Sequence, residues 1–126
     1  MSEPLRGVVV THGELARALV DAVQRITGDD GSLVAVSNEG CGRDGLVEQL
    51  GSAIGDRPCV VFVDLPSGSC LQASAIYLRS HGNVALVAGV NLAMLLDFVY
   101  HRTGTPEAAA QRAVDKGGEA MRALRG

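Results

Sequence analysis

Short unbroken apolar runs alternate along this chain with longer stretches whose apolar residues recur at helical spacing. Gly7 to Thr11 is apolar almost throughout, the composition of a strand covered on both faces. From Glu14 to Thr27 a helix is predicted, with Leu15, Leu19, Ala22, Val23 and Ile26 on one stripe and Arg17, Asp21, Gln24 and Arg25 opposite. Gly28 and Asp29-Asp30-Gly31 end it. Leu33 to Val36 is a second strand, followed by a polar loop from Ser37 to Arg43 and a helix through Leu46, Val47, Leu50 and Ile54. Pro58 marks the start of a third strand, Cys59 to Val63. Ser69 then caps a helix whose apolar positions include Leu71, Ala75, Ile76 and Leu78. Asn83 to Val87 is a fourth strand. Asn91 caps a helix from Leu92 to His101, and Thr105-Pro106 opens a last one, with Ala110, Ala113, Val114, Met121 and Leu124 on its apolar face. Gly117-Gly118 inside that helix costs roughly 1 kcal/mol per glycine, so either close packing compensates or the helix bends.

Strands alternating with helices predict an α/β fold, an open and mainly parallel sheet with helices on both faces. The 126 residues make one domain, with no repeat, linker or low-complexity segment, and the chain ends within a turn of its last helix.

Composition narrows the function. Net charge is −3 and the Lys and Arg residues are scattered, which argues against nucleic acid and anionic membrane as partners. Neither a membrane span nor a secretion signal is visible, so a cytoplasmic location is expected. Cys41, Cys59 and Cys70 are odd in number and lack C-x-x-C spacing, which indicates neither a disulfide framework nor a zinc knuckle.

Chemistry concentrates where strands hand over to helices. Four such loops converge on the carboxyl edge of the sheet, where open α/β folds place their ligands: 11–13, 37–43, 65–70 and 89–91. Each contains glycine, and helix N-termini add partial positive charge, which makes a cradle for a tetrahedral anion without lysine or metal. His12 adds a nucleophilic nitrogen. Neutral imidazole attacks phosphorus through one ring nitrogen while the other keeps its proton, and a carboxylate accepting that proton fixes the tautomer. Asp64, at the end of the third strand, is the candidate. Thr11, Ser67, Gly68 and Ser69 are the candidate phosphate-binding residues, with Arg43 and Asn91 either caps or ligands. No metal or cofactor is called for. His81 and His101 fall near helix ends away from this rim, and Cys70 reads as a small, half-buried residue.

Competing chemistries fit less well. A receiver domain phosphorylated on Asp64 needs an acidic pair after the first strand, where this chain has Thr11-His12, and its only lysine is Lys116 in the last helix. A Ser69-His12-Asp64 hydrolase lacks the G-x-S-x-G elbow.

With Val10-Thr11-His12-Gly13, Phe62-Val63-Asp64, Ser67-Gly68-Ser69 and Ala88-Gly89-Val90-Asn91-Leu92-Ala93-Met94-Leu95 in this order, the chain resembles the mannose-family IIA domain of the bacterial phosphoenolpyruvate-dependent sugar phosphotransferase system. The resemblance runs from about Gly7 to Leu124. It implies a flavodoxin-like, typically homodimeric phosphocarrier with phosphotransferase activity. His12 would take a phosphoryl group from the phosphohistidine of HPr and pass it to a IIB component, with Asp64 in support and Ser69 on the phosphate. Some members exchange a C-terminal strand between subunits, for which this chain ends early. A regulatory module, whose phosphorylation state is a signal uncoupled from sugar uptake, is the alternative. The dihydroxyacetone-kinase phosphoryl donor is a related branch that Ala88-Gly89-Val90-Asn91-Leu92 disfavours. Three positions depart from the family pattern: Ser67 stands for a usual glycine, and Cys70 and Ala93 for usual prolines.

Overall fold

The computed structural model describes residues 4–125. The chain runs β1 (Arg6–Thr11), α1 (Leu15–Thr27), β2 (Leu33–Ser37), α2 (Arg43–Ile54), β3 (Cys59–Val63), α3 (Ser69–Arg79), β4 (Val84–Ala88), α4 (Leu92–Tyr100) and α5 (Pro106–Ala120). The strands form one parallel sheet in the order β2-β1-β3-β4. Two apolar layers cover it. Against one face α1, α4 and α5 contribute Ala16, Val20, Leu95, Phe98 and Ala113. Against the other, α2 and α3 contribute Leu46, Leu50, Ala73 and Tyr77. Val8, Val9 and Val10 of β1 are wholly buried and alternate between the layers, as residues of a central strand must. The predicted architecture is therefore the observed one.

The order places the functional rim. After β1 the chain steps one way to β2, then crosses back over β1 to β3. The carboxyl ends of β1 and β3 lie side by side at the point where winding direction reverses, the usual ligand crevice of such sheets.

Local choices in the core follow from close approach. Phe98 of α4 lies edge-on to Phe62 of β3, with ring centroids 5.4 Å apart. That ring reaches the backbone of Gly7, where a Cβ would come within 2.8 Å of Phe98 Cε2. At Gly117 a Cβ would overlap Met94 Cγ and Cε. Close packing of α5 on α4 therefore explains the first glycine of the Gly117-Gly118 pair, whereas Gly118 has nothing within 4 Å of a Cβ.

Helix rotations differ from those the periodicity predicts. On α1 the residues facing inward are Ala16, Val20 and Val23, while Leu15 and Ile26 are 44% and 56% exposed. Leu19 and Ala22 are half-buried between them. The helix is apolar around more than half its circumference, and the sheet takes the smaller residues. On α3 the buried positions are Cys70, Ala73, Ser74 and Tyr77, whereas Ile76 is exposed and Leu71, Ala75 and Leu78 are half-buried. Ser74 is tolerated inside because its hydroxyl donates to Cys70 O at 2.7 Å. On α5, Ala109, Ala110, Ala113 and Gly117 face inward, Val114 is exposed, and Met121 and Leu124 lie beyond the helix end.

Candidate functional site

The site begins with how β1 stops. Thr11 is fully buried, and its Oγ1 accepts the N–H of Ala16 at 2.6 Å. A strand-end hydroxyl thus does the work of a side-chain cap, because Glu14 makes no cap hydrogen bond itself. Between them Gly13 takes φ +59°, which turns the chain sharply and leaves His12 at the rim with its side chain 44% exposed.

Two neighbouring strand ends hold that turn. From β2, Ser37 Oγ donates to Gly13 O at 2.8 Å, and Asn38 Oδ1 accepts Gly13 N–H at 3.2 Å. From the end of β3, Asp64 Oδ2 accepts the backbone N–H of His12 at 3.0 Å and lies 2.9 Å from His12 Nδ1. Its other oxygen, Oδ1, accepts the N–H of Leu65 at 3.1 Å. With a carboxylate acceptor on Nδ1, the neutral ring carries its proton there and leaves Nε2 free. Burial pushes the Asp64 carboxyl upward, but the bonds from His12 and the adjacent imidazole outweigh it and hold the group below its usual value. Asp64 therefore stays ionised beside His12.

The loop after Asp64 supplies the third side. Gly68 adopts φ +92° and brings its backbone against the free edge of the imidazole: a Cβ there would lie 3.7 Å from both Cε1 and Nε2 of His12. Helix α3 starts at Ser69, with Gly68 as its cap residue and no side-chain cap hydrogen bond. Ser69 is thus one position too far along to be the cap expected of it. Its Oγ faces Asn38 Nδ2 across 3.5 Å instead, and the helix N-terminus keeps its partial positive charge toward the rim. Ser67 and Gly68 are exposed.

The other candidates sort clearly. Thr11 lies beneath the rim with no exposed surface. Asn91 is a cap: its Oδ1 accepts Met94 N–H at 2.9 Å, and its Nδ2 donates to Gly117 O at 3.0 Å. Arg43 opens α2 and lines a groove with Leu71, Gln72, Ala75, Ile76 and Arg79. Cys70 is fully buried rather than half-buried; burial and the nearby Asp64 carboxylate push its thiol up. His81 stacks on Tyr77 and His101 follows α4, both outside the site. Asn38 is the participant the sequence did not single out. Its signal was only its place, first after β2, in a loop already assigned to the rim.

A backbone-cradled histidine paired with a buried-edge aspartate can be compared with known proteins. Residues 7–115 match the EIIA-man family, described as "PTS system fructose IIA component", PTS being the phosphotransferase system. The chain belongs to this family. A sorbose-specific EIIA component from Klebsiella pneumoniae is 32% identical over 98 residues, covering 75% of this chain and 73% of that protein. Among solved structures, the mannose/sorbose-specific IIA subunit from Enterococcus faecalis superposes with a TM-score of 0.86 at 22% identity, covering 98% of this chain and 96% of that one. The EIIA component from Streptococcus agalactiae gives 0.88 at 18% identity, covering 94% and 96%. Those two likenesses show the fold. The EIIA-man chain is accordingly a component of a phosphotransferase system, with the α/β architecture of mannose-type IIA structures. Fructose, mannose and sorbose all occur in these descriptions, so membership assigns no sugar. Among the described residues no helix is long and apolar enough to cross a membrane.

Proposed function

We propose that this chain is a phosphocarrier in which His12 Nε2 accepts a phosphoryl group from phospho-HPr and passes it to a IIB component. The observation that carries the reading is the His12–Asp64 pair: one carboxylate oxygen holds both the backbone and the ring of His12, leaving Nε2 directed away from it. As the Nε2–phosphorus bond forms, the donor's nitrogen–phosphorus bond breaks and the Nδ1 proton stays in place. The ring gains positive charge, which Asp64 offsets. Ser67, Gly68 and Ser69 receive the phosphoryl oxygens through backbone N–H groups and hydroxyls at the start of α3. Thr11 contributes from below, by holding the start of α1 and with it the turn that carries His12. Phosphoryl transfer needs little beyond in-line positioning and anion stabilisation, and these parts supply both.

The working unit is a cytoplasmic homodimer. The exposed ridge of Leu15 and Ile26, flanked by Leu19 and Ala22 on α1, supports this, because exposed apolar ridges mark association surfaces. Sedimentation of the parent and of Leu15→Glu/Ile26→Glu checks it: a monomeric parent removes the dimer.

The deciding experiment is incubation with phosphoenolpyruvate, enzyme I and HPr, followed by intact-mass analysis in alkali. One added phosphoryl group, labile in mild acid and absent in His12→Ala, is expected. Retained labelling of folded His12→Ala would overturn the assignment.

A further inference from the structure

The phosphotransfer reading uses His12 and Asp64 but leaves unexplained the residue below them. Cys70, at the second position of α3, is fully buried, yet its Sγ comes close to the functional pair. One donor atom from each of His12, Asp64 and Cys70 lies within 4.8 Å of the other two, the one such three-residue group among the described residues. We propose that these three side chains bind a single zinc ion.

The donor set argues for this cation. Zinc is borderline-soft and takes thiolate, imidazole and carboxylate together, whereas magnesium and calcium prefer oxygen alone. With zinc–sulfur bonds of about 2.3 Å and zinc–nitrogen or zinc–oxygen bonds of about 2.0 Å, tetrahedral donor atoms sit roughly 3.5 Å apart. His12 Nδ1 and Asp64 Oδ2, 2.9 Å apart, must open slightly, and no donor need close on another by more than about an ångström. The open side of the half-exposed His12 ring leaves room for that adjustment. Burial is graded in the right sense, with Cys70 at the floor, Asp64 partly covered and His12 at the lip. Three protein ligands on one side leave the fourth position to water at the rim, the arrangement of an open zinc site. On binding, the Cys70 thiol gives one proton to solvent and its sulfur lone pair to the metal; Asp64 and the imidazole contribute lone pairs without net proton loss.

Occupancy withdraws the imidazole from reaction. Resting on the phosphocarrier reading, zinc then acts as a reversible block on phosphorylation of His12. The thiol is what makes the set a zinc site, since His12 and Asp64 alone offer only two protein ligands.

The test uses cobalt(II) alone as a spectroscopic probe on the reduced, full-length chain. One equivalent is expected to produce a thiolate-to-cobalt charge-transfer band in the near ultraviolet, erased by added zinc. The band should be lost in His12→Ala and in Cys70→Ala and kept in Cys41→Ser. Absence of the band in folded parent protein, or its survival in His12→Ala, overturns the proposal. The exposed His12 substitution decides the matter if Cys70→Ala fails to fold. In a parallel arm, zinc should prevent labelling by phospho-HPr. Labelling that fails without zinc refutes the phosphocarrier reading and leaves the cobalt spectrum to judge the metal site. Labelling unaffected by saturating zinc refutes the block.

Discussion

Replacing Asp64 with asparagine removes one charge and, more importantly, one acceptor. Three donors converge on this carboxylate: His12 N–H and Nδ1 on one oxygen, Leu65 N–H on the other. Asparagine offers a single acceptor oxygen. Turned toward His12, it keeps both of those bonds but makes them neutral, and its NH2 group faces the N–H of Leu65, an exposed residue that water can serve. Charge-assisted bonds contribute about 1.5–3 kcal/mol and neutral ones about 0.5–1.5, so each His12 bond weakens by about 1–1.5 kcal/mol. The backbone bond holds the turn in every state. The Nδ1 bond matters most as the ring becomes cationic, because Asp64 is then the counter-charge. With its side chain only 12% exposed, solvent screens little of that loss. That weakening of the Nδ1 bond, about 1–1.5 kcal/mol at the transition state, corresponds to a transfer rate about 5- to 13-fold slower. Stability should fall by only about 1 kcal/mol, the ordinary worth of the weakened backbone bond. Quenched-flow labelling by phospho-HPr measures the first effect and urea denaturation the second. A rate equal to the parent's in a folded Asp64→Asn protein would refute the tautomer and counter-charge argument. A loss of rate matched by a loss of fold would make Asp64 a structural residue.

The remaining predictions concern packing, backbone and pH. Gly117→Ala and Gly118→Ala gain the same helix propensity, but only the first drives a methyl into Met94. By denaturant titration Gly117→Ala should be about 1–3 kcal/mol less stable than Gly118→Ala; equal stabilities would mean α5 does not sit on α4 as described. Gly68→Ala places a methyl 3.7 Å from His12 Nε2 and strains a backbone at φ +92°, by roughly 1–3 kcal/mol. Labelling should slow while circular dichroism stays native, and unchanged labelling would remove Gly68 from the site. Burial pushes the Asp29 carboxyl up, but its bonds from Ser32 and the charge of Arg102 prevail and lower it. Its folded value is depressed, so its contribution is present above the unfolded value near 3.9 and fades as pH falls through the folded one. Asp29→Ala should therefore lose about 1 kcal/mol at neutral pH and much less at pH near 3, as thermal melts at the two pH values will show.

How much of this was legible beforehand depends on the range of the interaction. The nine elements and most of their limits follow from apolar runs, capping residues and glycine stops, which act within a few positions. Asn91 and Thr105 cap as predicted, the latter through Oγ1 on Ala108 N–H at 3.1 Å. Ser69 does not, because Gly68 at positive φ starts the helix one residue early. Helix faces were less readable. Where a helix is apolar around more than half its circumference, as α1 is, periodicity does not say which side meets the sheet. The small residues Ala16 and Val20 won that position over Leu15 and Ile26.

By itself, the sequence determined the alternation of strand and helix, the parallel sheet this implies, and the residue types gathered at strand ends, His12 and Asp64 among them. These depend on local pattern and on the right-handedness of crossovers, both of which a linear chain carries. Only the tertiary structure decided that Asp64 holds His12 with one oxygen, that Asn38 reaches Gly13 and Ser69, that Thr11 is buried, and that Cys70 lies under the pair. Those contacts join residues dozens of positions apart, and the strand order β2-β1-β3-β4 and the turn angles at Gly13 and Gly68 set their geometry. A displacement of one ångström decides whether a hydrogen bond or a metal ligand exists, and spacing along a chain does not encode distance that finely.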